Sequence, residues 1–168
     1  KERSKWMRKV LMVCTGNTCR SPMAAALFKK AAAERQIEVE VDSAGLQVFG
    51  SESANTQAQT VMREYGIDLS EHRSQQIDIN ALEEYDLVLT MTYSHKRYIL
   101  NLRPDLADKV FLIKEFADQK RQETNTKKEN INRADSDVSD PFGQSVAVYH
   151  RTATELLQAI ETILDAWQ

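Results

Sequence analysis

Hydrophobic positions along the chain gather into short runs of strand length, separated by stretches in which they recur every three or four residues. The runs at 10–14, 39–43, 87–91 and 110–113 predict strands, and the unbroken apolar character of 87–91 is what a parallel strand covered on both faces requires. Between the first two runs lies a segment rich in helix formers that predicts a helix ending about residue 35. A second helix is predicted at about 55–65, with Ala58, Val61, Met62 and Tyr65 on one face and Gly66 in the stop position. Short helical patterns follow at 81–84 and at 94–102, the latter stopped before Pro104. From Gln144 onward Val146, Tyr149, Ala153, Leu156, Ile160, Ile163, Leu164 and Trp167 mark a long amphipathic helix. The alternation predicts a doubly wound α/β domain of about four parallel strands with helices on both faces. Ligands bind such folds at the carboxyl ends of the strands. The stretch VCTGNTCRSPM, residues 13–23, follows the first one.

One polar segment interrupts the pattern. Residues 119–137 contain Ile131 as their one large aliphatic side chain and charges of both signs, which predicts a surface loop, with a lid over 140–143 as the alternative. A chain of 168 residues is expected to form one domain over 7–168, with 1–6 as an extension ahead of Met7. Apolar residues make up 42% and charged residues 28%, and the net formal charge of −3 with no basic stripe argues against nucleic-acid binding. No apolar run is long enough to span a membrane, and KERSKW lacks the apolar core of a secretory signal, so a cytoplasmic monomer is expected.

Both cysteines, Cys14 and Cys19, fall inside the stretch that follows the first strand. They exclude a secreted disulfide scaffold and are too few for a cysteine zinc site. His72, His95 and His150 have no ligand spacing with them, so no metal and no other cofactor is expected. His95 and His150 are expected on solvated helix faces, and Asp78, Glu83 and Glu84 as helix-start and surface charges.

The turn itself is suited to an anion. Backbone N–H groups of Thr15, Gly16, Asn17, Thr18, Cys19, Arg20 and Ser21, ending in a helix N-terminus with Pro22 in its first turn, can converge on a tetrahedral oxyanion. Arg20 can clamp two of its oxygens. The same positive surroundings favour the thiolate of Cys14. A thiolate below a phosphoryl group attacks phosphorus in line and forms a cysteinyl-phosphate. The leaving group then needs an acid. Asp140, fixed before Pro141 in a loop after the last strand, is the candidate, and once ionised it can take a proton from the attacking water.

These residues carry a resemblance. VCTGNTCRSP, together with Asp42-Ser43-Ala44-Gly45, the segment from Gly66-Ile67-Asp68 to Glu71-His72-Arg73-Ser74, residues 86–91 and Asp140-Pro141-Phe142, resembles the low-molecular-weight protein tyrosine phosphatase family along nearly the whole chain. The resemblance implies a flavodoxin-like fold, Cys14 as nucleophile, Arg20 as phosphate clamp, Asp140 as acid and base, and Ser21 donating to the sulfur. It also implies that Asn17, Ser43 and His72 hold the loop in its strained shape, although Ser43 and His72 also suit ordinary capping or core positions. Phosphorylated proteins are the implied partners. Thr18, where the tyrosine enzymes commonly carry an aliphatic residue, and Phe142-Gly143, where they commonly carry a tyrosine pair, look like the protein arginine phosphatase branch. A hydroxyl at Thr18 suits a guanidinium phosphate, and an ionised Asp140 can orient the guanidinium; a neutral loop substitution at Thr18 is the alternative. Cys19 suits either a reversible disulfide with Cys14 or a packed thiol. Arsenate reduction on the same fold needs further cysteines downstream, and none follows Cys19. A non-catalytic phosphate-binding module would have no use for Cys14 and Asp140 together. The sequence therefore reads first as a protein arginine phosphatase opposing a protein arginine kinase, with phosphotyrosine hydrolysis as the alternative.

Overall fold

The apolar run that opens the chain forms β1 (Arg8–Cys14), the second strand in a sheet whose order is β2 (Val39–Gly45), β1, β3 (Leu87–Thr90), β4 (Val110–Leu112). The computed structural model describes residues 7–124 and 136–168. All pairings are parallel, and Cys14 lies opposite Gly45 while Val13 lies opposite Thr90, so the strands end together on one carboxyl edge. The helices are α1 (Arg20–Glu34), α2 (Thr56–Glu64), α3 (Tyr93–Leu102), α4 (Ile113–Thr124) and α5 (Val146–Ala166), with a 3₁₀ turn at Ile79–Glu84.

Side chains of β1 divide by the two-residue period of a strand. Val10, Met12 and Cys14 pack into a core with residues of α1, α2, α4 and α5, whereas Leu11 and Val13 pack into a second core with Ile99 of α3 and Leu82 of the 3₁₀ turn. Both faces are thus covered, which is why the central strands are apolar from Val10 to Val13 and from Leu87 to Leu89. Among the described residues, no helix is long and apolar enough to cross a membrane.

The structure corrects the polar segment. The strand expected over 110–113 ends at Leu112, Ile113 starts α4, and residues 119–124, expected as loop, complete that helix. Ile113, Phe116 and Ala117 form an i, i+3, i+4 stripe buried at the start of α4, and Phe116 packs on Trp167 with ring centroids 6.3 Å apart. Beyond that stripe the helix is held by surface charges, Arg121 to Asp118 and Lys120 to Glu123. These pairs are the both-signs pattern that reads as loop when the apolar stripe sits only at one end. The remaining expectation for 125–135, loop or lid, lies outside the described residues.

At the carboxyl edge the backbone of β2 approaches the turn after β1 so closely that a Cβ on Gly45 would sit 2.6 Å from the carbonyl oxygen of Thr15 and 3.0 Å from the amide of Asn17. Both are backbone atoms and neither can swing aside. Replacing Gly45 with alanine is therefore expected to lower unfolding free energy by about 1–3 kcal/mol through overpacking. Denaturant titration checks it; a variant as stable as the parent would show that this contact does not pin the turn.

Candidate active site

The turn between β1 and α1 is built around Asn17, a non-glycine residue with φ of 58°. Its side-chain amide is buried and fully used. Nδ2 donates to Ser21 Oγ at 2.7 Å and to Ser43 Oγ at 2.9 Å, and Oδ1 accepts from the amide of Gln75 at 3.0 Å. Its carbonyl oxygen meets His72 Nε2 at 2.7 Å. A carbonyl only accepts, so Nε2 carries the imidazole proton.

The chain of donors leads to sulfur. Because Ser21 Oγ accepts from Asn17, its own hydroxyl proton is free for Cys14 Sγ, 2.9 Å away. The backbone amide of Asn17 donates to the same sulfur at 3.3 Å. Cys19 caps α1 without a side-chain hydrogen bond, and the first turn holds no acidic residue, so the amide groups of that helix start remain open to an anion.

Arg20 is 5% exposed. Its Nη1 donates to the carbonyl of Val138 at 2.9 Å, and Nη2 lies 3.5 Å from Asp140 Oδ2. The segment carrying Asp140 is fixed from both sides: Val138 N donates to the carbonyl of Met91 at 2.8 Å, and Asp137 Oδ1 accepts from the amide of Tyr93 at 2.7 Å. Asp140 Oδ1 accepts from the amide of Phe142 at 3.1 Å, which closes the turn around buried Pro141. Thus Cys14, Arg20, Ser21 and Asp140 meet at one edge of the sheet. Phe142 stands out from it, 68% exposed.

Thr18 is half-buried, with its hydroxyl 3.7 Å from Cys19 Sγ. Cys14 and Cys19 are both free thiols. Cys19 Sγ lies 3.2 Å from the hydroxyl of Tyr149 on α5, and burial pushes its thiol pKa up. Among the described residues, no group of three or more His, Cys, Asp or Glu is arranged to hold a metal ion.

His95 departs from its expected solvated position: it is 6% exposed, with Nε2 2.9 Å from Thr15 Oγ1. Thr92 caps α3 by accepting from the amide of His95, which turns the ring inward under the loop. A Thr three residues before a His, directly after an apolar strand, was the signal that could have placed it at the sheet edge. Burial, and then the Arg20 guanidinium, push its pKa down to about 4, against the pull of Asp137 and Asp140. Burial likewise lowers the pKa of His72, with the bond to Asn17 opposing and Arg73 and Lys29 adding to the shift. His150 is exposed and pairs with Glu64 at 3.2 Å. Gln75, Val138 and Tyr149 also reach the site from distant segments, and no local pattern marks them.

The family model described as low molecular weight phosphotyrosine protein phosphatase matches residues 9–168. A protein-arginine-phosphatase of Geobacillus stearothermophilus is 37% identical over 94% of this chain and 91% of its own length. A solved low molecular weight protein tyrosine phosphatase from T. tengcongensis is 39% identical, covers 94% of this chain and 98% of its own, and superimposes with a TM-score of 0.79. A solved variant of the YwlE arginine phosphatase with a phosphorylated active-site serine is 35% identical, covers 94% of this chain and 93% of its own, and has the same TM-score of 0.79. With the loop after β1 and nearly the whole chain matched, this protein belongs to the low molecular weight phosphotyrosine protein phosphatase family.

Proposed function

We propose that this chain hydrolyses phosphoarginine in proteins through a cysteinyl-phosphate, opposing a protein arginine kinase. The observation that carries the chemistry is Cys14 Sγ held at 2.9 Å from Ser21 Oγ and 3.3 Å from the Asn17 amide, in the loop that also places Arg20 3.5 Å from Asp140. Arg20 and the amides of residues 15–21 bind the phosphoryl oxygens, and the Cys14 thiolate attacks phosphorus. The P–N bond breaks as the Asp140 carboxyl gives its proton to the leaving guanidine nitrogen. Water then attacks the cysteinyl-phosphate, Asp140 takes a proton from it, the S–P bond breaks and the thiolate is restored. The phosphorylated serine of the YwlE variant supports attack from this position of the loop. Ser21 donates to the sulfur while it is the leaving group, and Asn17, Ser43 and His72 keep the loop in shape.

Specificity for arginine rests on Thr18 and Asp140, with the arginine phosphatase relative in support. Thr18 offers a hydroxyl where an aliphatic side chain would favour a phenol ring, and the exposed Asp140 carboxyl can accept from a guanidinium N–H through the oxygen that does not carry its proton. Phe142, exposed beside Asp140, gives the stem of the substrate side chain an apolar surface. A free thiol nucleophile stays reduced in the cytoplasm, which is where we place the enzyme, and as a monomer it supplies every group that the reaction uses. A Cys14 to Cys19 disulfide would require Cys19 to leave Tyr149.

Phosphate release from matched phosphoarginine and phosphotyrosine peptides, with Cys14→Ser as the blank, is expected to favour phosphoarginine. Thr18→Ile is expected to move the ratio toward phosphotyrosine by about tenfold or more. Faster release from phosphotyrosine by the parent enzyme would return the chain to the tyrosine branch. Asp140→Asn is expected to lower kcat by about 100-fold or more, as loss of a general acid does; an unchanged kcat would remove Asp140 from the reaction.

Stability should also follow the neutral imidazole of His95. Its folded pKa of about 4 lies below the ordinary 6.5, so the unfolded chain binds the proton more tightly. The contribution is complete above pH 6.5 and is lost as pH falls toward 4, by about 2–3 kcal/mol at pH 4.5. Denaturant unfolding at pH 7.5 and pH 4.5 should show a smaller acid loss for His95→Gln than for the parent. Equal losses would mean that His95 does not titrate in this way.

A further inference from the structure

A cleft of about 710 Å³ opens beside the loop, between α1, the end of β2 and the segment at 66–75. Three of its lining residues, Ser43, His72 and Gln75, are the residues whose hydrogen bonds hold Asn17. Its wall is therefore also the outer support of the catalytic loop. Ile67, half-buried, gives it an apolar patch to which Ala25 and Leu69 add their edges, and the small alanine side chains of α1 leave the space.

The charges around this patch are unevenly engaged. Asp42 accepts from the hydroxyl of Tyr85 at 3.2 Å, and Asp68 accepts from the amide of Ser70 at 2.8 Å. Among the cations, Lys30 is bound to the carbonyl of Tyr65 and Arg73 uses Nη1 on Ser53, but Lys29 has no hydrogen bond or ion pair among the described residues. Lys29, Lys30 and Arg73 thus outnumber the two carboxylates in a chain whose net formal charge is −3. A cleft of this size, mostly polar, with an apolar patch and the unpaired Lys29 at its rim, suits a small anionic molecule.

We propose that this cleft is a second binding site, for an anionic small molecule with an apolar body, and that its occupancy is coupled to the phosphate loop through His72 and Asn17. The anion sits against Lys29 and Arg73, and its body covers Ile67 and the edge of Ala25. His72 lines the same cleft, with Nε2 committed to the Asn17 carbonyl and Nδ1 without a protein partner among the described residues. Burial, Arg73 and Lys29 all disfavour a second proton on this ring. An anion between those cations relieves their repulsion, and an imidazolium gives Asn17 a stronger, charge-assisted bond. Ligand at the cleft and oxyanion at the loop then favour one arrangement of Asn17, and the coupling must be reciprocal.

Naphthalene-2-sulfonate is a suitable probe, titrated into the full-length ¹⁵N-labelled protein with the phosphate loop saturated by orthovanadate. The expected result is amide shifts at Lys29, Ile67 and Arg73 that vanadate does not abolish. Lys29→Glu should weaken the probe by about tenfold or more, and Lys29→Arg should restore binding. Saturating probe should change vanadate affinity by about fivefold. Probe binding that vanadate displaces, or that survives Lys29→Glu unchanged, would overturn the site; a vanadate affinity indifferent to the probe would overturn the coupling. Vanadate binding does not depend on which phosphorylated residue the enzyme prefers, so these readouts stand apart from the test of substrate specificity.

Discussion

The left-handed backbone of Asn17 is the constraint on which the rest of the site depends. Such a conformation costs a non-glycine residue about 1–3 kcal/mol and persists only where its surroundings over-determine it. Here they do: two serine hydroxyls, the Gln75 amide and the His72 ring occupy both ends of its side chain and its carbonyl. Glycine would adopt the dihedral freely but could not bridge α1 to β2. Asparagine is therefore at once the bend and the brace, and the polarity of its amide decides that Ser21 has a proton left for sulfur.

Around this brace the sheet supplies position and Arg20 supplies charge. A guanidinium so deeply buried is costly without partners, and the protein gives it the Val138 carbonyl and an imperfect ion pair with Asp140. Neither partner neutralises it as fully as a bidentate oxyanion would, which leaves the loop poised for an anionic guest. The carboxyl that shares this cation is the one proposed for proton transfer, so anion binding and that step would meet in a single contact. His95 and His72, held neutral by burial, add hydrogen bonds to the loop without adding charge that would compete with Arg20.

The same support faces two solvents. On one side the loop opens at the carboxyl edge of the strands, where parallel α/β sheets bind ligands; on the other, Ser43, His72 and Gln75 face the cleft beside α1. The bonds of Ser43, His72 and Gln75 to Asn17 thus make one hydrogen-bonded unit with a face on each opening.

Local pattern determined a good deal. The period of hydrophobic residues placed four parallel strands in the structure observed: the central runs are apolar because both of their faces are covered, while β2, at the sheet edge, alternates apolar with polar residues. The motif after β1 carried Cys14, Arg20 and Ser21 within one turn, where backbone geometry alone brings them together. It failed where stability comes from afar: the second half of α4, residues 119–124, looked like loop because the apolar stripe covers only the first turns of the helix, which pack on α5 and Trp167. It failed again at His95, whose polar helix neighbours say solvent while the cap at Thr92 turns the ring under Thr15. Gln75, Val138 and Tyr149 reach the loop across 58, 118 and 130 residues of chain respectively. Contacts over such separations leave no periodic trace in a sequence, since they are fixed by how helices and strands pack; the sequence determined which groups are proposed to do chemistry, and only the tertiary structure decided what holds them in place.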